Sequence, residues 1–179
     1  MKRVLVIFGA APNTVEDFES LIAMGFRDYD VLAVGIDALS NLKNEYIRYF
    51  ATYHPMDLAS VRFERDQMKR NVDFKIISHK PYPDKEHSIV GIIIPIDLQK
   101  EPSGSSALLG VLGAMKEGYE KMVLCGCPLT GKNTKEQPYS VFRTGWLFHE
   151  KAVLGKVKSM SGWTKEILGS PDKEWLEIV

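Results

Sequence analysis

Short apolar runs recur along the chain at residues 4–8, 31–34, 49–53, 74–77, 89–94 and 121–125. Most are nearly continuous in apolar character, the pattern of strands covered on both faces. Amphipathic segments lie between them, and this alternation is the signature of parallel strands joined by crossover helices. The pattern predicts an α/β fold: a Rossmann-like, mostly parallel sheet of about six strands with helices on both faces.

Three of the helices are marked individually. Thr14 and Asp17 resemble a capping box with Asp in place of Glu; Val15, Phe18, Leu21 and Ile22 then form one apolar stripe, and Gly25 supplies the stop. A charge-rich helix is expected over residues 55–70. The clearest runs through Leu108, Leu109, Val111, Leu112 and Met115 to Gly118, with Ser105 or Ser106 able to cap its start. The domain is predicted over residues 1–158. Residues 159–179 read as a helical tail around Trp163 and Trp175, packed on the domain or on a partner, which makes a homodimer one arrangement to consider. Residues 81–87, opening Pro81-Tyr82-Pro83, read as a tight surface loop. Residues 128–142 are long for a loop of a compact domain, as lids and binding loops often are.

Charge changes this picture little. Lys plus Arg is 23 and Asp plus Glu is 23, so no global field draws the chain toward nucleic acid or a membrane surface. No apolar run reaches spanning length, and residues 4–8 are too short for a signal segment, which predicts a cytoplasmic protein. Cys125 and Cys127 are two apart on a strand, so their side chains point to opposite faces and a mutual disulfide is not expected. No further cysteines or spaced histidines suggest a metal site. Cys125 reads as a core thiol; Cys127, at the strand end, is placed nearer solvent.

Candidate chemistry collects at strand ends. Gly9-Ala10-Ala11-Pro12-Asn13 joins the first strand to the first helix, where backbone N–H groups and the helix dipole suit an anion. It also reads as a plain β–α turn, and it lacks the G-x-G-x-x-G fingerprint of dinucleotide binding. Asp37 comes after the second strand, where a ribose hydroxyl is often held; a solvated loop aspartate or helix cap fits equally. His54 ends the third strand, where it reads as a pocket-lining residue and a catalytic candidate alongside His149, or as a structural residue. Ser103-Gly104-Ser105-Ser106 offers more hydroxyls than one N-cap needs, which suits a phosphate. Gly126-Cys127-Pro128-Leu129-Thr130-Gly131-Lys132 matches G-x-x-x-x-G-K, but Asn133 stands where a P-loop needs Ser or Thr, and Pro138 interrupts the helix a P-loop requires next. His149 reads as a general base or as a helix-surface histidine.

Taken together, the Gly9-x-x-Pro12 loop, the Gly104-Ser105-Ser106-Ala107-Leu108-Leu109 helix ending in Gly118-Tyr119, and Met122-Val123-Leu124-Cys125-Gly126-Cys127-Pro128 resemble a known group. They are similar to Rossmann-like proteins related to sialyltransferases, especially the family that includes archaeal hydroxymethylpterin pyrophosphokinase and small phage- or prophage-encoded versions. The resemblance covers roughly residues 4–152. It implies that Gly9, Pro12, Asn13, Ser105 and Ser106 meet phosphate or ribose, that Gly126 and Pro128 border the base, and that His149 with Glu150 occupies a catalytic position. The family separates that pair by several residues, whereas here they are adjacent; relatives also tend to show Gly-Pro-Ser where this chain has Ala11-Pro12-Asn13. The implied function is a nucleotide- or nucleotide-sugar-binding, transferase-like protein, with a glycosyltransferase relative as one form of it; the nucleotide or nucleotide sugar is the one ligand expected, and the sequence specifies no cofactor. A non-catalytic binding or assembly module and a P-loop-like nucleotide hydrolase are the alternatives.

Overall fold

The computed structural model describes residues 3–42, 46–54, 58–81, 91–95, 102, 105–132 and 138–177. Seven parallel strands form one sheet: β1 (Val4–Phe8), β2 (Tyr29–Val34), β3 (Tyr49–Ala51), β4 (Lys75–Ser78), β5 (Ile92–Ile93), β6 (Met122–Cys125) and β7 (Val157–Ser159), in the order β5-β4-β3-β2-β1-β6-β7. The helices are α1 (Thr14–Ala23), α2 (Gly35–Asn41), α3 (Leu58–Gln67), α4 (Ser106–Lys116), α5 (Arg143–Phe148), α6 (Glu150–Val153), α7 (Gly162–Leu168) and α8 (Lys173–Glu177), with a 3₁₀ turn at Tyr139–Phe142 before α5. No helix among the described residues is long and apolar enough to cross a membrane.

Strand alternation sorts the core into two layers. Leu5, Ile7, Leu32, Tyr49, Ile77 and Leu124 pack against α4 with Trp146, Val153 and Leu168. Val4, Val6, Phe8, Val31, Phe50, Ile76 and Val123 pack on the opposite face with Leu21, Leu58 and Leu176. Both faces are covered, as the continuous apolar runs require.

The chain builds the sheet outward from β1 to β5, then α4 carries it back across to β6 on the other side of β1. That reversal places a topological switch point between β1 and β6. Two glycines let α4 lie close to the strands it crosses. A Cβ on Gly110 would stand 3.0 Å from Leu32 Cδ2, and one on Gly113 only 2.5 Å from Ile77 Cγ2.

Several expectations are corrected. The sheet has seven strands, because Val157–Ser159 adds β7 beside β6. Residue 158 lies inside β7, and beyond it Leu168 and Leu176 pack on opposite faces of the sheet. Asp37 lies in the first turn of α2, directly after β2. The strand expected at 89–94 is two residues long where described, and its start at 89–90 lies outside the described residues, as do residues 55–57 of the charged helix and 82–87 of the surface loop. The expected Thr14–Asp17 box is absent: Asn13 is the N-cap and makes no side-chain cap bond, while the Thr14 hydroxyl donates to the carbonyls of Gly9 at 3.1 Å and Ala11 at 2.5 Å. Cys127 is buried like Cys125, and both thiols are free.

Candidate functional site at the switch point

A cavity of about 570 Å³ opens at the carboxyl ends of the strands. Its walls come from the turn after β1 (Gly9, Ala10, Ala11), the end of β2 (Val34), the segments after β3 and β4 (Tyr53, His54, His79, Lys80), the start of α4 (Ser105, Ser106, Ala107), the loop after β6 (Gly126 to Leu129) and the 3₁₀ turn (Tyr139, Phe142). The structure thus gathers six of the sequence-predicted residues: Gly9, His54, Ser105, Ser106, Gly126 and Pro128. Ser103 and Gly104 lie outside the described residues.

The two helix starts differ in what they leave open. At α1 the polar groups satisfy one another. Asp17 is buried and accepts from the Gly126 N–H at 2.8 Å, from the Ser161 hydroxyl at 2.7 Å and from Asn13 Nδ2 at 3.2 Å; Asn13 also donates to Ser161 Oγ at 2.7 Å. The negative charge favoured by that helix start is therefore supplied from within. Asn13 and the exposed Pro12 do not line the cavity; they shape the turn instead.

The α4 start is the open one. Ser105 is its N-cap, and Ser105 Oγ accepts from Leu108 N–H at 3.4 Å and from Trp146 Nε1 at 3.3 Å. A hydroxyl has two acceptor lone pairs and one donor, so the O–H of this cavity-lining residue remains available to donate. The first-turn N–H groups of Ser106 and Ala107, which precede the helical ladder, lie on the same wall.

The loop after β6 is held from behind. Thr164 Oγ1 donates to Cys127 O at 2.7 Å, Trp163 N–H donates to Pro128 O at 2.8 Å, and Arg143 Nε and Nη2 donate to Leu129 O at 3.0 and 2.9 Å. Arg143 also sits over the Trp163 ring at 5.1 Å. Leu129 is kept at φ 48° within these contacts, a conformation non-glycine residues seldom adopt. Gly9 and Gly126 make the close passage between β1 and β6 possible: a Cβ on Gly9 would fall 2.1 Å from Gly126 O.

The segments after β3 and β4 make a basic and aromatic part of the wall. The Thr52 hydroxyl accepts from the His54 N–H at 2.9 Å and turns the chain at the end of β3. The His79 and Tyr53 rings lie 5.0 Å apart at 41°. Burial, then Lys80 and His54, push the His79 pKa below its ordinary value. Burial pushes the Tyr139 phenol up, helped by Asp37 and Cys127, so this side chain stays a neutral donor. Asp37 itself is exposed and acts on Tyr139 from outside the lining residues. No carboxylate occurs among the described residues that line the cavity.

Two sequence-predicted features lie elsewhere. His149 sits between α5 and α6 with its ring against Phe148 at 5.0 Å, and it does not line the cavity. Lys132 pairs with Pro138 in an antiparallel bridge and is exposed, and the next described helical turn begins only at Tyr139; residues 133–137 lie outside the described residues. The G-x-x-x-x-G-K match therefore has no helix start placed behind its lysine, and Lys132 does not line the cavity. Sequence reading does not single out Tyr53, His79 and Lys80; Tyr139 and Phe142 lie within the 128–142 segment expected to be a lid or binding loop. His79 and Lys80 carry no clear sequence signal, because Lys75 interrupts the apolar run of β4 and Ser78 separates that run from them.

Comparison of the chain with protein-family models, with curated proteins and with solved structures finds no match.

Proposed function

We propose that the chain binds a phosphate-bearing small molecule, a nucleotide or nucleotide sugar, in the switch-point cavity, and that it is a transferase-like protein. The observation that carries this reading is the make-up of the wall. A cavity of about 570 Å³ is lined by the Ser105 hydroxyl, the open α4 start, His54, His79 and Lys80, with no carboxylate among the described lining residues. A space of that size falls within the usual range for small-molecule sites. Such donors suit phosphate oxygens, and Tyr53, Tyr139 and Phe142 offer ring faces for a base or sugar. The resemblance to sialyltransferase-related proteins points the same way, because it carries Ser105, Ser106, Gly126 and Pro128 to ligand positions. In the transferase version the cavity holds the nucleotide leaving group, and His54 lines that cavity whereas His149 does not.

A second reading, a binding module without chemistry, is favoured by the position of His149 outside the cavity. Isothermal titration against CMP, a CMP-sugar, GTP and ATP tests the binding claim; saturable one-site binding by one of them is expected, and silence across the panel would overturn it. Turnover of the bound nucleotide sugar to free nucleotide then separates the transferase from the module.

A further inference from the structure

We propose that His79 grips a phosphoryl oxygen of the ligand through Nε2–H, as a neutral imidazole held in one tautomer. This rests on the reading of the cavity as a phosphate-ester site and adds a ligand-binding residue from the segment after β4.

The geometry around the ring supports it. His79 lines the cavity, and its Nδ1 is buried without a hydrogen-bond partner. Each imidazole nitrogen is either a bare acceptor or an N–H donor. A buried N–H with no acceptor carries the full desolvation penalty of an unmade hydrogen bond, whereas an unused lone pair is more readily tolerated. The proton of the neutral ring therefore belongs on Nε2. The Tyr53 ring lies 5.0 Å away at 41°, a tilted contact that limits how far the imidazole can turn.

Charging the ring would place a second N–H at the buried Nδ1. It would also set a cation beside Lys80, its neighbour in sequence, and beside His54 on the adjoining strand end. Burial, Lys80 and His54 accordingly act together to lower the His79 pKa. The described groups at the α4 start, Ser105 and Ser106, carry no charge, and no described lining carboxylate pulls the other way. A neutral, directional donor beside the exposed Lys80 suits a phosphoryl oxygen, whose charge strengthens the hydrogen bonds it accepts. The same arrangement is poorly suited to a proton acceptor, since Nδ1 is closed off and Nε2 already bears hydrogen.

Two-bond ¹H–¹⁵N correlation spectra of the labelled chain at pH 7.5 read the tautomer, with the His79→Gln spectrum assigning the signal. The expected pattern is a neutral ring protonated at Nε2, shifted by inorganic phosphate. Glutamine can offer an amide N–H where Nε2–H stood, so His79→Gln is expected to hold inorganic phosphate within about threefold of the parent chain, and His79→Ala about tenfold more weakly. Circular dichroism of both variants confirms that they remain folded. A ring protonated at Nδ1, an imidazolium at pH 7.5, or a glutamine variant as weak as the alanine one would overturn the His79 assignment while leaving the phosphate site standing. A parent chain that takes up no phosphate would overturn the phosphate site itself and His79's ligand with it.

Discussion

The Asp17 carboxylate accepts a hydrogen bond from the backbone N–H of Gly126 at 2.8 Å, joining residues 109 apart in sequence. This bond ties α1 to the loop after β6 and closes the seam between the two strands that flank the switch point. Ser161, from the segment after β7, donates to the same oxygen at 2.7 Å. Three parts of the chain are thus fastened at one buried atom.

Removing that atom should loosen all three. Asp17→Ala leaves the Gly126 N–H, the Ser161 hydroxyl and Asn13 Nδ2 without their acceptor, and a loss of about 2–3 kcal/mol of stability is expected. Urea unfolding of the variant checks it. A change under about 0.5 kcal/mol, the usual size for an ordinary surface substitution, would contradict the role.

The passage between β1 and β6 admits no side chain. Gly9→Ala would set a Cβ 2.1 Å from Gly126 O and 2.6 Å from Cys127 Sγ. The backbone oxygen cannot swing aside, so a destabilisation of about 2–4 kcal/mol is expected, with a displaced turn at the cavity floor. Thermal unfolding of the variant is the measurement, and an unchanged midpoint would count against the geometry.

Ser105 joins stability to binding. Ser105→Ala removes the N-cap of α4 and the acceptor for Trp146 Nε1, for an expected cost of about 1 kcal/mol. Ser105→Asp keeps an acceptor for both donors but places a carboxylate on the wall. It should fold with near-parent stability and bind inorganic phosphate more weakly than the alanine variant. The pair of titrations separates the capping role from the ligand role; equal binding by the two would show that the site does not sense charge at α4.

What is legible in the sequence depends on which neighbours each residue answers to. β1, β2 and β6 are buried on both faces, so they carry continuous apolar runs that mark them as strands. β7 is an edge strand whose central Lys158 and terminal Ser159 break any such run, and only pairing with β6 makes it a strand. Short-range spacing places Asp17 in a local cap, but its partners include Gly126 and Ser161, far along the chain. Ser105 is legible because a helix start announces its cap locally. His79 has no such local signature, since its meaning comes from Tyr53 and the open cavity beside it.

Cys127 offers a chemical check on the packing. Burial, with Asp17 adding to it, pushes its thiol up to about 12 from an ordinary 9.0. At pH 8 only about one thiol in ten thousand is then thiolate, the reactive form. Disulfide-exchange reagents at pH 8 should modify the folded chain at least about a hundredfold more slowly than the urea-unfolded chain. Rapid modification of one thiol in the folded protein would contradict the burial.

His79 makes stability depend on pH in one direction. Its folded pKa lies below the 6.5 of an unperturbed histidine. Well above 6.5 the ring is neutral whether folded or not, and it contributes no pH dependence. As pH falls below 6.5 the unfolded chain takes up a proton that the folded chain resists, so folding weakens. His79→Gln should therefore lose less thermal stability than the parent between pH 7.5 and pH 5.5. Parallel melting profiles for the two would contradict a depressed pKa at this site.

The central claim, that the switch-point cavity is the ligand site, is tested most directly by amide NMR during titration with CMP and with ATP. Saturable shifts are predicted for at least one nucleotide, concentrated at Ala10, Ser105, Ser106, Ala107, His79 and Leu129. Saturable shifts centred on Lys132 and His149 with the cavity amides unmoved, or no saturable shift from either nucleotide, would contradict it.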